Sequence, residues 1–482
     1  MNGISGGAVT VALVMAIALG LLNFFDGHIR HGGKRQRVQG ARWARRRDLR
    51  ELRMRGPEPG RLVLGRKGRG LLATAGRASV LVVGPTGIAH KTTGITIPAV
   101  LEWEGPVVVT SVKTDLLKAT IRHREDMGKA MIFDPTKASG EKKTVKATPL
   151  LGCSSWGGAM KVAHRLSSSA RAAEGLQEAD FWHAAAEKLL SPLLFAAANE
   201  GGQMADVIRW LNAGAEAEPK VRKILEATKD EDALSAWQAN WNRDERQRSS
   251  IYTTAETILR AFSDPRVLEA TSCAEYTPSA LLDGGANTLY LCGSAHEQVR
   301  LRGLFAAMLG EVVGVVQERS AVTGRAIDPP LLIVNDEAAN SAPLPNYAVV
   351  ASSGAGQGIL MVTVVQDLSQ FEARYGKEAQ TIFNNHEAAI YCAGIRDRTT
   401  LDYLSSIIGE GEYRQLTETD GEMGRGSSTR GSVYRALTPA NVVREGRPGT
   451  GILLYGHLPP TRIALRPWFK DRRLREMVER SS

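Results

Sequence analysis

Apolar residues follow two different spacings along this chain, and short apolar runs dominate its first part. Runs of four or five β-branched or aliphatic residues that end in glycine or polar residues predict buried strands, and helical spacing follows the first two of them. The first clear strand pattern, SVLVVG, is Ser79–Gly84, and the next two contain Val107–Thr110 and Ala130–Pro135. Strands that alternate with helices predict an α/β fold with a parallel sheet.

The pattern changes between residues 151 and 285, where β-branched runs disappear. Phe181–Asn199 and Ser249–Phe262 have the 3.6-residue spacing of helices, so we predict an all-α domain inserted into the α/β domain. Strand patterns resume at Asn287–Gly293, and the α/β domain is predicted to finish near Phe469. The later strand patterns are Pro330–Glu337, Gly358–Asp367, Ala388–Gly394 and Gly449–Gly456.

The N-terminal segment has the composition of a membrane anchor. Ala8–Phe25 is eighteen residues long without a charged residue, which is near the lower limit for one transmembrane helix. Residues 1–7 carry no positive charge and no small-x-small site follows the apolar run, so a cleaved signal peptide is disfavoured. A buried or frayed apolar helix is the alternative interpretation.

Positive charge is concentrated in one segment. The net charge is +10, and residues 30–70 alone hold fifteen Lys/Arg against three Asp/Glu. Next to an apolar span, such a run indicates the cytoplasmic side, and it would also attract anionic lipid headgroups. Contact with a nucleic acid backbone is the second interpretation. The four cysteines are widely spaced, which argues against a zinc site or a disulfide framework.

These patterns divide the chain into six predicted parts. Within the last α/β segment, the polar, glycine-rich stretch Asp420–Arg435 predicts a mobile loop. The parts are a transmembrane anchor (1–28), a basic juxtamembrane linker (29–60), the first part of a nucleotide-binding domain (61–150), an all-α substrate domain (151–285), the second part of the nucleotide-binding domain (286–470) and a C-terminal tail (471–482).

An irregular phosphate-binding loop follows the first strand pattern directly. The usual motif is G-x-x-x-x-G-K-[ST], whose glycines let backbone N–H groups surround phosphates and whose lysine reaches the terminal ones. Here Gly84 lies seven residues before Lys91 instead of six, and His90 replaces the second glycine. We expect the backbone of His90 to avoid a strongly positive φ and its side chain to point away from the phosphates. The predicted ATP-binding loop comprises Gly84, Pro85, Thr86, Gly87, Ile88, Ala89, His90, Lys91, Thr92 and Thr93.

Acidic and amide side chains at two later strand ends complete the predicted site. In LLIVNDE, Asp336 can orient Mg²⁺ and Glu337 can polarise the attacking water. The alternative is that this pair caps the helix that follows. Gln366, at the end of MVTVVQ, can sense the γ-phosphate or can be a solvated residue at the end of its strand.

Several longer blocks resemble one known family, the type IV secretion and conjugation coupling proteins of the TraG/TraD kind, particularly their Gram-positive relatives. The resemblance covers essentially residues 40–470. It is carried by GPTGIAHKTTGITIPAVLEWEGPVVVTSVKTDLL, ADFWHAAAEKLL, DEAANSAPLP, TVVQDLSQFEARYG and LYGHLPP. It implies a membrane-anchored, homohexameric, RecA-like P-loop ATPase with an inserted all-α domain that recruits single-stranded DNA with its relaxase, or a protein, to the proteins of a secretion channel.

Specific roles are carried over from the family by motif. The resemblance implies that Lys91 holds the β- and γ-phosphates of ATP, that Thr92 and Asp336 hold Mg²⁺, and that Asp336 with Glu337 forms the Walker B pair. Gln366 would be the sensor. An arginine that reaches the neighbouring subunit is expected in such hexamers, and the candidates are Arg396 and Arg398, with Arg374 behind them.

Two departures from the family keep other functions open. Family members usually have two membrane spans, and only one is visible here. The Ala89-His90 pair replaces Ser-Gly, so a non-hydrolysing membrane receptor or scaffold with a decayed loop is the second hypothesis. A double-stranded DNA pump of the septal kind is the third, and it would predict several spans and a C-terminal winged-helix domain. The leading hypothesis places a single-pass protein in the inner or plasma membrane with its body in the cytoplasm.

Overall fold

The structure, a computed structural model, describes residues 40–111, 114–170, 177–294, 296–339, 344, 346–419 and 427–479. The predicted span Ala8–Phe25 lies outside these residues. Within them, no helix combines the length and the apolar character that crossing a membrane requires.

A large twisted sheet organises the part of the chain that is described. Its strands are β1 (Arg53–Met54), β2 (Val63–Lys67), β3 (Gly70–Ala73), β4 (Val80–Val83), β5 (Val107–Ser111), β6 (Ala130–Phe133), β7 (Thr288–Cys292), β8 (Leu331–Asn335), β9 (Ile359–Val365) and β10 (Ala388–Cys392), together with two later strands introduced below. The run β10-β4-β9-β8-β5-β7-β6 is parallel throughout. Strands β4, β8 and β9 are buried along their full length, because helices cover both faces.

The order of these strands differs from their order in the chain. β4 lies between β10 and β9, so Val80 pairs with Ala388 on one side and with Val362 on the other. β8 follows β9, and β5 follows β8. As a result, the loops after β4, β9 and β8 open at the same edge of the sheet.

Helices flank the sheet and fill the interval between β6 and β7. The first two are α1 (Ile97–Glu102) and α2 (Thr114–Met127). The inserted helices are α3 (Trp156–Ala170), α4 (Gln177–Asn199), α5 (Met204–Ala213), α6 (Glu218–Thr228), α7 (Glu231–Trp241), α8 (Glu245–Ile258), α9 (Pro265–Ala270) and α10 (Pro278–Leu282). Buried side chains of this insertion, such as Leu189 and Trp237, belong to the same hydrophobic cluster as Leu81 and Phe133 of the sheet. The insertion therefore shares a continuous core with one face of the sheet.

The second half of the chain returns to the sheet and then extends it with antiparallel strands. The helices here are α11 (Gln298–Thr323), α12 (Tyr347–Gln357), α13 (Leu368–Tyr375), α14 (Glu378–Asn384), α15 (Arg398–Ile408) and α16 (Ala440–Arg444). A separate two-stranded sheet contains β11 (Glu410–Thr419) and β12 (Ser427–Ala436), and the strands that rejoin the large sheet are β13 (Thr450–Tyr455) and β14 (Leu458–Ala464). β13 pairs with β10 and β14 with β13, both antiparallel, and β2, β3 and β1 complete that side of the sheet.

Three predicted segments differ from the structure. Residues 427–435, predicted as loop, lie within β12, because Thr, Val and Tyr favour a strand despite the neighbouring glycines. The basic linker predicted to reach residue 60 is folded in its second half, where Leu52 is fully buried and β1 pairs with β3. The predicted tail contains helix α17 (Arg472–Glu479), which is held by the burial of Leu474 against α1 and α2.

Candidate functional site

The glycine-rich loop that starts at Gly84 follows β4. It leads into a helical segment that begins with the turn Thr92–Thr96 and continues as α1. Gly84 donates its N–H to the carbonyl of Val365 at 3.2 Å, and a Cβ atom at this position would lie 2.6 Å from Cys392 Cβ. Gly87 has φ +90°, which an L side chain rarely adopts. The two glycines are thus required for different reasons, Gly84 for close approach and Gly87 for backbone conformation.

His90 occupies the position of the missing glycine in a left-handed conformation. Its φ is +53°, in the left-handed region, so our expectation that the backbone would avoid a strongly positive φ was wrong. Histidine is one of the residues that tolerate this region better than most. Its ring contacts Thr93, with Nδ1 3.3 Å from Oγ1, and packs edge-on against Phe469 with ring centroids 6.3 Å apart. The left-handed backbone lets the loop keep the turn that glycine normally provides.

Lys91 is buried where the loop enters the helix. Its ammonium donates hydrogen bonds to the carbonyl oxygens of Gly84 and Val365, the latter at 3.1 Å. The next turn, Thr92–Thr96, is π-helical, and Thr96 donates its hydroxyl to the carbonyl of Thr92 at 2.9 Å. Wide turns of this kind are frequent at functional sites. Lys91 is therefore positioned by the ends of two neighbouring strands, β4 and β9.

The acidic pair follows β8 at the same edge of the sheet. Asp336 is only 3% exposed, and its N–H donates to the carbonyl of Thr110 at 3.1 Å. Thr92 donates its hydroxyl to Asp336 Oδ2 at 3.1 Å. Glu337 has φ +67°. Residues other than glycine rarely adopt this conformation, and those that do cluster at functional sites. Residues 336–339, the described residues from this pair onwards, form turns.

These groups line a cleft of about 140 Å³. The lining residues are Pro85, Thr86, Gly87, His90, Lys91, Thr92, Thr93, Asp115, Asp336 and Glu337. Asp115, in the first turn of α2, was not predicted. Asp115 could have been found as an acidic residue shortly after β5, the strand that pairs with β8. A larger cavity of about 600 Å³ lies between β2, β14 and α16, and none of the predicted site residues lines it.

The donor set of the cleft fits a magnesium ion that is shared with a phosphate ligand. The Thr92 hydroxyl and the Asp336 carboxylate are hard oxygen donors, which Mg²⁺ prefers. The described residues contain no group of three His, Cys, Asp or Glu side chains that could hold a metal by themselves. This agrees with Mg²⁺ chemistry, because this ion usually keeps waters and substrate phosphates among its ligands.

The remaining predicted residues occupy different surroundings. Gln366 follows β9, between the strands that carry the loop and the acidic pair. Arg396 is exposed in the turn after β10, and Arg398 is 93% exposed in a surface ion pair with Asp402. Arg374 is half-buried and donates to the carbonyl of Ser169 at 3.0 Å, so the inserted helical part holds it within its own chain. Arg396 and Arg398 are thus both exposed, whereas Arg374 is held by a contact within its own chain.

Comparisons with known proteins agree with this architecture. A model of the family described as "Type IV secretory system Conjugative DNA transfer" matches residues 34–482. The conjugal transfer protein TraG of Agrobacterium fabrum (strain C58) is 24% identical over 402 residues, which cover 79% of this chain and 59% of TraG. The chain thus spans about three fifths of the length of this relative.

Two solved structures of the plasmid and conjugative coupling protein TrwB have a similar fold. The unbound form of TrwBdeltaN70 has a TM-score of 0.69 at 18% identity, over 89% of this chain and 93% of that chain. TrwB in complex with ADP and Mg²⁺ has a TM-score of 0.62 at 19% identity, over 81% and 85%. The fold is an α/β, RecA-like P-loop NTPase fold, as the sequence predicted.

Proposed function

The chain belongs to the type IV secretory system conjugative DNA transfer family, and from this premise we propose that it is a membrane-anchored ATPase that couples substrate to a type IV secretion or conjugation channel. The proposed substrate is single-stranded DNA with its relaxase, or a protein, and ATP hydrolysis drives transfer. The similarity to the conjugal transfer protein TraG and to the coupling protein TrwB supports this assignment.

One observation carries the ATPase part of the proposal. Lys91, Thr92, Asp336 and Glu337 come from two distant parts of the sequence and line a single cleft. A decayed loop would have no reason to keep the hydroxyl of Thr92 against a buried carboxylate. The structure described as TrwB with ADP and Mg²⁺ supports the same ligands in this chain.

Each residue has a proposed task in the reaction. Lys91 exchanges its two carbonyl partners for the β- and γ-phosphates of ATP, while Thr92 and Asp336 hold Mg²⁺. When bound, Mg²⁺ supplies positive charge that neutralises the phosphate oxygens. Glu337 orients the attacking water and accepts its proton. Gln366, at the intervening strand end, senses whether the γ-phosphate is present.

The remaining parts of the proposal concern assembly and location. We place the protein in the inner or plasma membrane as a single-pass protein through Ala8–Phe25, with its body in the cytoplasm. The basic run after this segment supports the orientation. The inserted helical part reads the substrate, and the active form is a homohexamer in which Arg396 reaches the neighbouring nucleotide. Carbonate extraction of membranes would release the protein if the anchor is absent, and native mass spectrometry with nucleotide would detect the ring.

The decisive experiment measures ATP turnover by the purified full chain with and without single-stranded DNA. We expect turnover that DNA stimulates, that Lys91→Ala abolishes by preventing nucleotide binding, and that Glu337→Gln lowers by roughly a hundredfold or more while binding remains. Wild-type turnover no greater than that of these two variants would refute the motor and support a non-hydrolysing receptor or scaffold.

A further inference from the structure

The cleft beside Lys91 has room for the phosphates of a nucleotide but not for its nucleoside. Its volume is about 140 Å³, whereas sites that enclose whole small ligands measure roughly 300–1,000 Å³. If the proposed function is correct and ATP binds here, its ribose and base must therefore lie on a surface outside the cleft.

The order of the strands decides which surface that is. The acidic pair, which faces the γ-phosphate, follows β8, two strands from β4 on one side. On the other side of β4 the order is β10, β13 and β14. If the γ-phosphate of ATP lies at Asp336 and Glu337, the α-phosphate and the attached nucleoside lie on the opposite side of the loop. That side faces the segments that flank β13 and β14.

Those segments place an exposed aromatic ring next to the irregular position of the loop. Phe469 is 39% exposed, and its ring packs edge-on against His90. A Cβ atom on Gly449, which precedes β13, would lie 3.3 Å from the ring of His90. Trp468 packs against Phe469 with ring centroids 5.8 Å apart. The imidazole thus packs against this flank while it also lines the cleft.

A buried ionic network fixes the segment that carries Phe469. Arg466 makes two hydrogen bonds of 2.9 Å to the carboxylate of Glu102, the last residue of α1, and one of 3.1 Å to Asp471. Its N–H also donates to the carbonyl of Gly94 at 3.3 Å. The turn Trp468–Lys470 lies between Arg466 and Asp471, so it is held rigidly against the helix that begins at the loop.

We propose that Phe469, braced by the imidazole of His90, is the platform on which the base of the bound nucleotide stacks. This inference rests on the proposed nucleotide site and names the surface that completes it. It gives His90 a function that glycine could not supply, namely support for the ring that receives the base. Stacking makes little distinction between bases, because every base has a π-face. The platform therefore predicts similar affinities for the two purine nucleoside triphosphates.

The test compares ligands with and without a base on the purified full chain. Binding of ATP and of inorganic tripolyphosphate, each with Mg²⁺, is measured by calorimetry for the wild type, Phe469→Ala and Phe469→Trp. We expect Phe469→Ala to weaken ATP binding by about tenfold, within the roughly five- to hundredfold range of one stacked base. Tripolyphosphate affinity should change less than about twofold, and Phe469→Trp should restore ATP binding, since it keeps an aromatic ring.

A matched control is Phe181→Ala, which removes another exposed phenylalanine, in α4. It should leave both affinities unchanged. The platform is refuted if Phe469→Ala leaves ATP binding intact, or if it weakens ATP and tripolyphosphate equally. A wild-type chain that binds neither ligand would instead refute the nucleotide site itself, so the two failures are distinguishable.

Discussion

Thr92 and Asp336 are hydrogen-bonded at 3.1 Å although 244 positions separate them in the chain. The whole helical insertion lies between them in sequence. They meet because β9 lies between β4 and β8 and pairs in parallel with both. The two strands that precede these residues therefore end at the same edge of the sheet. This contact can therefore form only when the two parts of the α/β domain have assembled correctly.

Removing the hydroxyl of Thr92 tests its assignment to Mg²⁺. Thr92→Val keeps the shape of the side chain but loses the oxygen, which we expect to cost about 2 kcal/mol, or roughly thirtyfold in affinity for ATP with Mg²⁺. Thr92→Ser retains the oxygen and should bind nearly as the wild type does. Titration of ATP affinity against Mg²⁺ concentration measures the difference. Equal behaviour of the two variants would exclude Thr92 as a ligand.

Substitutions at His90 test the left-handed backbone. Glycine adopts φ +53° freely, so His90→Gly should bind tripolyphosphate within about twofold of the wild type. Valine is β-branched and strongly disfavoured there, by about 1–2 kcal/mol or more, and His90→Val should lose about tenfold in the same assay. Loss of binding in His90→Gly would show that the imidazole itself holds phosphate.

The Arg466 network should contribute strongly to stability. Burial alone would lower the pKa of Arg466, but the hydrogen bonds and charge of Glu102 and Asp471 raise it above its ordinary value. Arg466→Met removes the arginine that pairs with the buried carboxylate of Glu102, while Asp471 keeps its ion pair with Arg66. We expect this change to cost about 3–5 kcal/mol in the free energy of unfolding. Urea unfolding measures the loss. The exposed pair Arg472–Glu476 provides the control, since Arg472→Ala should leave the urea midpoint unchanged.

His386 should make the fold sensitive to acid. It is fully enclosed, with Nε2 2.8 Å from the hydroxyl of Thr363 and Nδ1 2.7 Å from the carbonyl of Ile382. Burial lowers the pKa of His386 to about 4, although the bond to Ile382 opposes this shift. The unfolded chain takes up a proton at this residue below roughly pH 6.5, whereas the folded chain does so only near 4.

Stability is therefore complete above about pH 6.5 and falls as the pH drops towards 4, by up to about 3 kcal/mol. Urea midpoints at pH 7.5 and pH 5 measure this loss. His386→Gln does not titrate, so its midpoint should fall less between these two values. An equal fall in both proteins would assign the acid sensitivity to other groups.

Local patterns carried most of what could be predicted. The strand before Gly84 and the strand before Asp336 are short, largely apolar and fully buried, and polar groups follow both. Their type and the chemistry at their ends therefore follow from nearby residues. The order of the strands depends on long-range pairing, which no local spacing reveals. For that reason Asp115 and Phe469 were not connected to the loop, although both are visible in the sequence.

The differences between the predicted and the observed structure have similar physical causes. Leu52 and Leu474 lie in strongly basic segments that resemble linkers, yet each is buried by contacts with strands or helices that are distant in the sequence. The conformation of His90 was also out of reach, because a left-handed histidine is chosen by its surroundings more than by its own preference. Tertiary contacts decided all three.

The position of β4 between β9 and β10 determines when the proposed nucleotide site can form during synthesis. Strands β9 and β10, which pair with β4, are both translated after the helical insertion, and β10 ends only at Cys392. The segment that contains Phe469 is translated later still. At about 5–20 residues per second, the loop waits roughly 15–60 s on the ribosome before either neighbouring strand has been made. Throughout that interval β4 is an unpaired apolar strand, and nascent chains of this protein are expected to need chaperone protection until their last hundred residues emerge.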